Sequence, residues 1–349
     1  MKIALANKYL PSCNPNGVSV QVHILAKALV KKGHKVTCYS FSEKPSDANY
    51  DHVKLSWGTS SRILRKFIPA RKFKEIKTDQ YDIVHYHGDD YLCRGASNRV
   101  RTFYGSALQE AINATNPARF FYQALFYLFE WISSLKKGTS VAISKNTVFS
   151  LPLIRLQISC AVSLEQFHPG KQKTPYPSIL FVGDLDSRKR GKLLLSVFEK
   201  EVLPEYPECI LTVVGSRNCS GSNVRYCGNI PVTDLIEEYQ KSWICCIPSS
   251  YEGFGVPAIE AMACGTPVVA TRNAGINEII TDKLNGRLCT GESLGNTINE
   301  TLSDSALRQA LICEGVQYSK KFDVSIIASE YEKLYEYSKH LNINNKKYS

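Results

Sequence analysis

Both halves of this chain alternate short apolar stretches with longer stretches of helical spacing, and that alternation restricts the fold more than any other feature. Short apolar runs bounded by polar residues read as buried strands. The first half supplies them at Lys2–Ala6, Lys35–Ser40, Ile83–His87, Arg99–Phe103 and Ser140–Ile143, with a helix at Ser19–Lys32 stopped by Gly33. The second half supplies Ser178–Val182, Ile210–Val214, Val224–Tyr226, Trp243–Pro248 and Val268–Thr271, with helices at Arg190–Lys200 and Thr233–Lys241. Strand–helix–strand order builds parallel sheets covered by helices. Residues 165–178 are rich in Pro and Lys without periodicity and read as a linker. Two doubly wound α/β domains are therefore expected, 1–170 and 171–323, with ligands at the carboxyl ends of their strands.

A chain of 349 residues with 44% hydrophobic content can fill two cores. No run of about 18 apolar residues occurs, as a membrane span would need. The apolar part of the opening MKIALANKYL is too short for a signal peptide. Phe120–Leu135 comes nearest to a span, but Gln123 and Glu130 interrupt it, so it reads as a largely buried helix or an interfacial one. The 12 cysteines are scattered and form no CxxC, and Cys38, Cys245 and Cys246 fall inside strands, which predicts reduced thiols and a cytoplasmic protein.

Charge is lopsided. Residues 1–170 hold 23 Lys and Arg against 11 Asp and Glu, a net of +12. That excess suits an anionic partner met by the first domain. It forms no nucleic-acid motif and lacks interleaved aromatic residues for base stacking, so nucleic acid is not an expected partner. Ser61–Lys77 concentrates seven cations and one acid, with Ile63, Leu64, Phe67 and Ile68 spaced for one helical face and Pro69 ending or bending the helix. This predicts peripheral attachment to an anionic membrane surface, against the alternative of an ordinary amphipathic helix packed on its own domain.

Four stretches carry candidate chemistry. EGFGVPAIEAMACGTPVVAT, 252–271, sets Glu252 and Glu260 around a glycine bend that enters a helix at Pro257. Free N–H groups at such an entrance suit a diphosphate, although Glu260 could equally be an acid complementing the helix dipole. FVGDLDSRKRGKLLL places Arg188, Lys189 and Arg190 before a helix, as a phosphate site or as a solvated turn. NPNGVSVQVHILAKAL holds a single Gly17 in a strand-to-helix loop, without the spacing of a dinucleotide or P-loop motif. YDIVHYHGDD nearly spells a metal run, but its last position is Asp90 and no third ligand cluster accompanies His85 and His87. His85 reads as a structural histidine; His87 and Asp89 read as cleft residues, with no metal.

The series FVGDL…RKRGKLL, LTVVGS, VRYCGNIPVTDLIEEYQKS, EGFGVPAIEAMACGTPVVAT and NAGINEIITDKLNGRLC, together with VAISKNT, the Gly17 loop and YDIVHYHG, resembles family 4 of the retaining glycosyltransferases in order and spacing. The resemblance spans nearly the whole chain and is densest from 178 to 290. It implies a GT-B fold: two Rossmann-like domains, with a last helix from about Val324 crossing back onto the first. It implies a UDP- or GDP-sugar donor held by the second domain, a glycan or lipid-linked acceptor held by the first, and no metal or other cofactor. On matching positions, Glu260 would hold the ribose hydroxyls and Glu252 the transferred sugar. Lys189, with Arg188 or Arg190, and the backbone of Gly253, Phe254, Gly255 and Val256 would hold the diphosphate, with Gly17 approaching it and Gly228 near the base. Three positions depart from the pattern. Asp184 stands where Arg is usual, Ala274 at the first of two usual glycines, and Tyr104 where many members carry His; Tyr104 can still hydrogen-bond a sugar oxygen and is counted with Glu252 and Lys189 as a catalytic residue. A catalytically silent relative serving as a binding or membrane-surface scaffold is the competing reading.

Overall fold

The computed structural model describes residues 1–12, 16–114, 116–216 and 223–347, with side chains to 339; Asn14 and Pro15 of the Gly17 loop lie outside them. It divides into two compact units, 1–161 with 324–349, and 162–323. In the first unit the order is β1 (Lys2–Ala6), α1 (Gly17–Lys31), β2 (Lys35–Ser40), β3 (Asp51–Lys54), α2 (Ile68–Lys74), β4 (Ile83–Tyr86) and β5 (Arg99–Phe103). Then come α3 (Ala107–Ile112), α4 (Pro117–Ser134), β6 (Thr139–Ala142), α5 (Lys145–Ser150) and β7 (Leu156–Gln157). The second unit runs β8 (Ser178–Val182), α6 (Gly191–Val197), β9 (Ile210–Val214), β10 (Val224–Gly228), α7 (Val232–Lys241) and β11 (Ile244–Ile247). It continues with α8 (Val256–Ala263), β12 (Val268–Thr271), α9 (Ile276–Ile279), β13 (Arg287–Cys289), α10 (Leu294–Ser303) and α11 (Ser305–Ser319). The chain closes with α12 (Val324–Lys347).

Both sheets are parallel, with orders β3-β2-β1-β4-β5-β6-β7 and β10-β9-β8-β11-β12-β13. Each is the doubly wound order, whose direction reverses beside its first strand and leaves a crevice at the carboxyl ends there. Central strands such as β1, β8 and β11 are buried on both faces, which their unbroken apolar runs require.

Residues 162–170, expected in the first domain, fold with the second unit. Val162 N donates to Phe322 O at 2.8 Å, Leu164 N to Asp323 Oδ2 at 3.2 Å, and Gln240 Nε2 to His168 O at 2.8 Å. α12 belongs to the first unit: Ile327, Ala328, Tyr331 and Tyr335 join its core, and Glu332 pairs with Lys32 and His34.

Two helical expectations in the first unit change. Segment 61–77 is not one amphipathic helix but a turn at Leu64–Lys66 followed by α2. Pro69 sits in the first turn of α2 and so starts a helix rather than ending one, where its missing N–H costs nothing. Helix α4 is not largely buried, since Ser133 is its one fully buried residue.

Candidate functional site

The crevice of the second unit lies where β8 and β11 end, and the two loops that leave them are laced together. Ser250 N donates to Arg188 O at 2.9 Å, and Arg188 Nη1 to Tyr251 O at 2.5 Å. This delivers a buried carboxylate, Glu252, to two cations. Lys189 Nζ lies 2.6 Å from Oε1 and Arg188 Nη1 3.2 Å from Oε2, while Ser249 Oγ donates to Oε1 at 2.7 Å. Burial pushes the Glu252 carboxyl up, but Lys189, Arg188 and these hydrogen bonds outweigh it and hold the group below the usual carboxylate range. Glu252 is therefore ionised at neutral pH, with its lone pairs fixed in direction.

Three glycines make the approach feasible. Gly183 carries the stem of Lys189 on its bare face; a Cβ there would lie 2.9 Å from Lys189 Cγ. Gly255, at φ 105°, turns the chain into α8 through a conformation that side chains resist. Gly275 touches the backbone of Glu252 so closely that a Cβ would stand 2.2 Å from its carbonyl oxygen. The residue that departs from the family pattern is its neighbour Ala274; the glycine that the geometry requires is present. Asp184, the other departure in this unit, turns its side chain into its own loop and accepts from Asp186 N at 3.0 Å.

Glu260 projects from α8 toward α7, where the buried Tyr239 Oη donates to Oε2 at 3.0 Å. Burial pushes its carboxyl up to about 7, against the Tyr239 hydrogen bond and the more distant Lys189. Arg190 is engaged elsewhere: Nε donates to Pro248 O at 2.6 Å and Nη2 to Thr271 Oγ1 at 3.1 Å, tying the ends of β11 and β12. These two bonds brace the floor of the site. Phe254 is buried against Phe322, while Gly253 and Val256 are partly open. Gly228, at φ 62°, closes the ends of β9 and β10 by accepting from Gly215 N at 2.8 Å.

The remaining candidates lie in the first unit. Gly17 opens α1 after the Asn16–Ser19 capping box, and a Cβ added to it would meet nothing within 4 Å. His87, at the end of β4, is buried, with Nδ1 2.9 Å from Tyr104 Oη and with Nε2 unpartnered. Burial, aided by Arg101, presses its pKa to about 3, so the ring is neutral, and Nε2 is buried without a hydrogen-bond partner. Asp89 follows at φ 52°, its carboxyl raised by burial and opposed by Lys8 and Arg101. His85 bonds Tyr335 Oη at 2.7 Å and Thr102 Oγ1 at 2.8 Å, a structural role that pins α12 to the sheet. Asp90 is consumed by Arg99 and Arg101. Among the described residues no three His, Cys, Asp or Glu side chains gather as a metal site would need.

Sequence spacing missed Tyr239, Ser249 and Gly275. Tyr239 and Gly275 come from other segments and bear no spacing to either glutamate that a pattern could detect; Ser249 stands three residues before Glu252 in the same loop, and that Ser-x-x-Glu spacing was the one available signal.

Two family models match: "Glycosyltransferase Family 4" over residues 15–134 and "Glycosyl transferases group 1" over residues 163–317. An uncharacterized glycosyltransferase of Methanocaldococcus jannaschii is 23% identical across 89% of this chain and 92% of its own. D-inositol 3-phosphate glycosyltransferase 2 of Catenulispora acidiphila is 29% identical, but the match spans 52% of this chain and 50% of that protein, about half its length. Among solved structures, sucrose-phosphate synthase from Thermosynechococcus elongatus superposes with a TM-score of 0.79 at 22% identity, covering 96% and 98% of the two chains. Anabaena HepE in complex with UDP-glucose gives 0.73 at 15% identity, covering 95% and 98%. The two matched models together take in most of the chain, both sheets have the GT-B order, and the chain belongs to the GT-B glycosyltransferases of family 4, enzymes that depend on a nucleotide-sugar.

Proposed function

We propose that the protein transfers a sugar from a UDP- or GDP-sugar to a hydroxyl of a glycan or lipid-linked acceptor, with retention at the anomeric carbon, in the synthesis of a polysaccharide or related glycan. The observation that carries this is the Glu252–Lys189–Arg188 cluster at the mouth of α8, with Glu260 on the same helix. A carboxylate with directed lone pairs suits sugar hydroxyls. Cations beside it suit the diphosphate, which gains charge as its bond to the sugar breaks. The acceptor oxygen forms the new bond, and its proton leaves on the departing phosphate, so no protein nucleophile is needed. His87 Nε2, Tyr104 and Asp89 are assigned to the acceptor. The described cysteines are free thiols, which fits a reducing compartment such as the cytoplasm.

The test separates the two glutamates. Glu260→Gln should weaken UDP-glucose or GDP-mannose binding by about 1.5–3 kcal/mol, the scale of hydrogen bonds to charged groups. Glu252→Gln should lower turnover and leave the affinity for free nucleotide nearly unchanged. Because the hydroxyl donors prefer the Glu260 carboxylate, wild-type affinity for the nucleotide-sugar should rise as pH climbs through about 7, by about tenfold per unit below that value. Glu260→Gln should remove this dependence. Folding stability carries the opposite sign: a carboxyl raised in the native state stabilises below its unfolded pKa and loses that contribution as pH rises through about 7. Calorimetric titration across this range, and the anomeric configuration of the product by NMR, decide the matter. No binding of either nucleotide-sugar would favour the silent scaffold.

Gly275→Ala supplies a geometric check. The added methyl must displace the Glu252 backbone, and a misplacement of about 1 Å costs about 100-fold in turnover. Steady-state kinetics should show that loss in kcat, with the nucleotide affinity set by Glu260 retained. Wild-type kcat in this variant would remove Glu252 from the reaction.

A further inference from the structure

Helix α4 turns an apolar stripe to the outside. Phe121, Leu125, Leu128, Ile132 and Leu135 succeed one another at alternating steps of four and three, and each is between 40 and 70% exposed. A surface helix ordinarily turns such a stripe toward its core. Here the inward contacts are made by other residues of the same helix: Phe129 stacks on Tyr91 at 4.1 Å, and Tyr127 and Trp131 pack beside Phe103 and Leu151. The stripe also has apolar flanks. On one side Phe67 packs on Phe126 and brings with it Ile63 and Leu64, both more than half exposed. On the other, Tyr127 Oη donates to Ser150 O at 2.7 Å and brings α5, whose Phe149 is 83% exposed. Single exposed leucines need no explanation, but a continuous face of this kind does.

Charge selects the occupant. Arg62, Arg71 and Lys74 are exposed on the Phe67 side, Lys145 and Arg155 on the α5 side, and Lys137 beyond the end of α4. Residues 1–170 carry a net +12, so two copies of this face would repel each other, whereas an anionic leaflet would attract it. No described helix is long and apolar enough to cross a membrane, and the opposite face of α4 is engaged by the sheet.

We propose that this face docks on an anionic lipid surface, with the α4 stripe lying in the interfacial region and the flanking cations on the headgroups. Attachment thus resides chiefly in α4 and not in segment 61–77 alone, where Arg65 is taken up by Thr59 O and Trp57 and Lys66 lies over Tyr122. The proposal rests on the first unit and stands apart from the assignment of the donor site.

The test is co-sedimentation of the full chain with vesicles of phosphatidylglycerol and phosphatidylcholine, against phosphatidylcholine alone. Wild type should bind the anionic vesicles at low salt and be only partly released at high salt, because buried apolar area is not screened. Phe121→Ser with Leu128→Asn, both at exposed positions, should cut the bound fraction about tenfold or more at either salt, on the scale of two apolar side chains left unburied. Arg62→Gln, Arg71→Gln and Lys74→Gln together should weaken binding at low salt only. Nucleotide-sugar affinity should be unchanged in all of them, which separates failure here from failure at the donor site. Three results would overturn the proposal: wild type ignoring anionic vesicles, the Phe121/Leu128 variant binding as wild type, or a wild-type dimer in sedimentation equilibrium that this variant converts to monomer.

Discussion

Lys189→Met should lower kcat by about 10²–10³, the cost of removing one preorganised charge from a developing anion. Methionine is the informative replacement because the Lys189 stem lies on Gly183; it keeps that cover and removes only the ammonium. Glu252 would keep Arg188 and Ser249 as partners, so the loop should remain folded. A cation acting on the leaving diphosphate works mainly in the transition state, and affinity for the intact nucleotide-sugar should fall much less than kcat does. If Lys189 served only to orient Glu252, Lys189→Met and Glu252→Gln would show equal losses, and the double variant would lose no more than either. Full activity in Lys189→Met, or wild-type activity abolished by EDTA, would refute the role.

The largest loss of stability is expected at Asp90. Its carboxylate is 1% exposed and accepts from Arg99 Nε at 2.9 Å and Ser133 Oγ at 2.5 Å, with Arg101 Nε forming an ion pair at 3.1 Å. Asp90→Ala leaves two buried guanidinium groups without their counter-ion, which costs about 3–5 kcal/mol. Urea unfolding should show that loss, and amide exchange should speed up in α4, whose Ser133 donates to the Asp90 carboxylate. Burial raises the Asp90 carboxyl, but Arg99 and then Arg101 outweigh this and hold it below the usual range. The sign follows: its contribution is complete above the unfolded aspartate value of about 4 and is lost as pH falls through the lower native value. Asp90→Ala should therefore flatten the acid limb of the stability profile. A loss under about 1 kcal/mol would show that the arginines find other partners.

Sequence pattern determined both sheets nearly strand by strand. β1, β2, β5, β8, β9 and β12 fall on the expected residues. The strands it missed, β3, β7 and β13, all lie at sheet edges. An edge strand has one neighbour and need not be an apolar run: Asp51–Lys54 is mostly exposed and polar. The pair Glu252 and Glu260 was legible because both belong to one loop–helix segment whose spacing sets their geometry. What directs them was not. Tyr239 reaches Glu260 from α7, and Gly275 reaches Glu252 from the turn before α9. Such contacts arise only when the sheet order brings separate segments to one edge. The same limit explains Asp90 and α4. Two arginines on a buried strand and an aspartate after another read as isolated charges until β4 and β5 pair. Helix α4 is apolar on more than one face, so its periodicity marks a helix without saying which face is covered. Only the packing of Tyr127, Phe129 and Trp131 inward turned Phe121, Leu128 and Leu135 outward, because a helix lying on one face of a sheet has one side to bury.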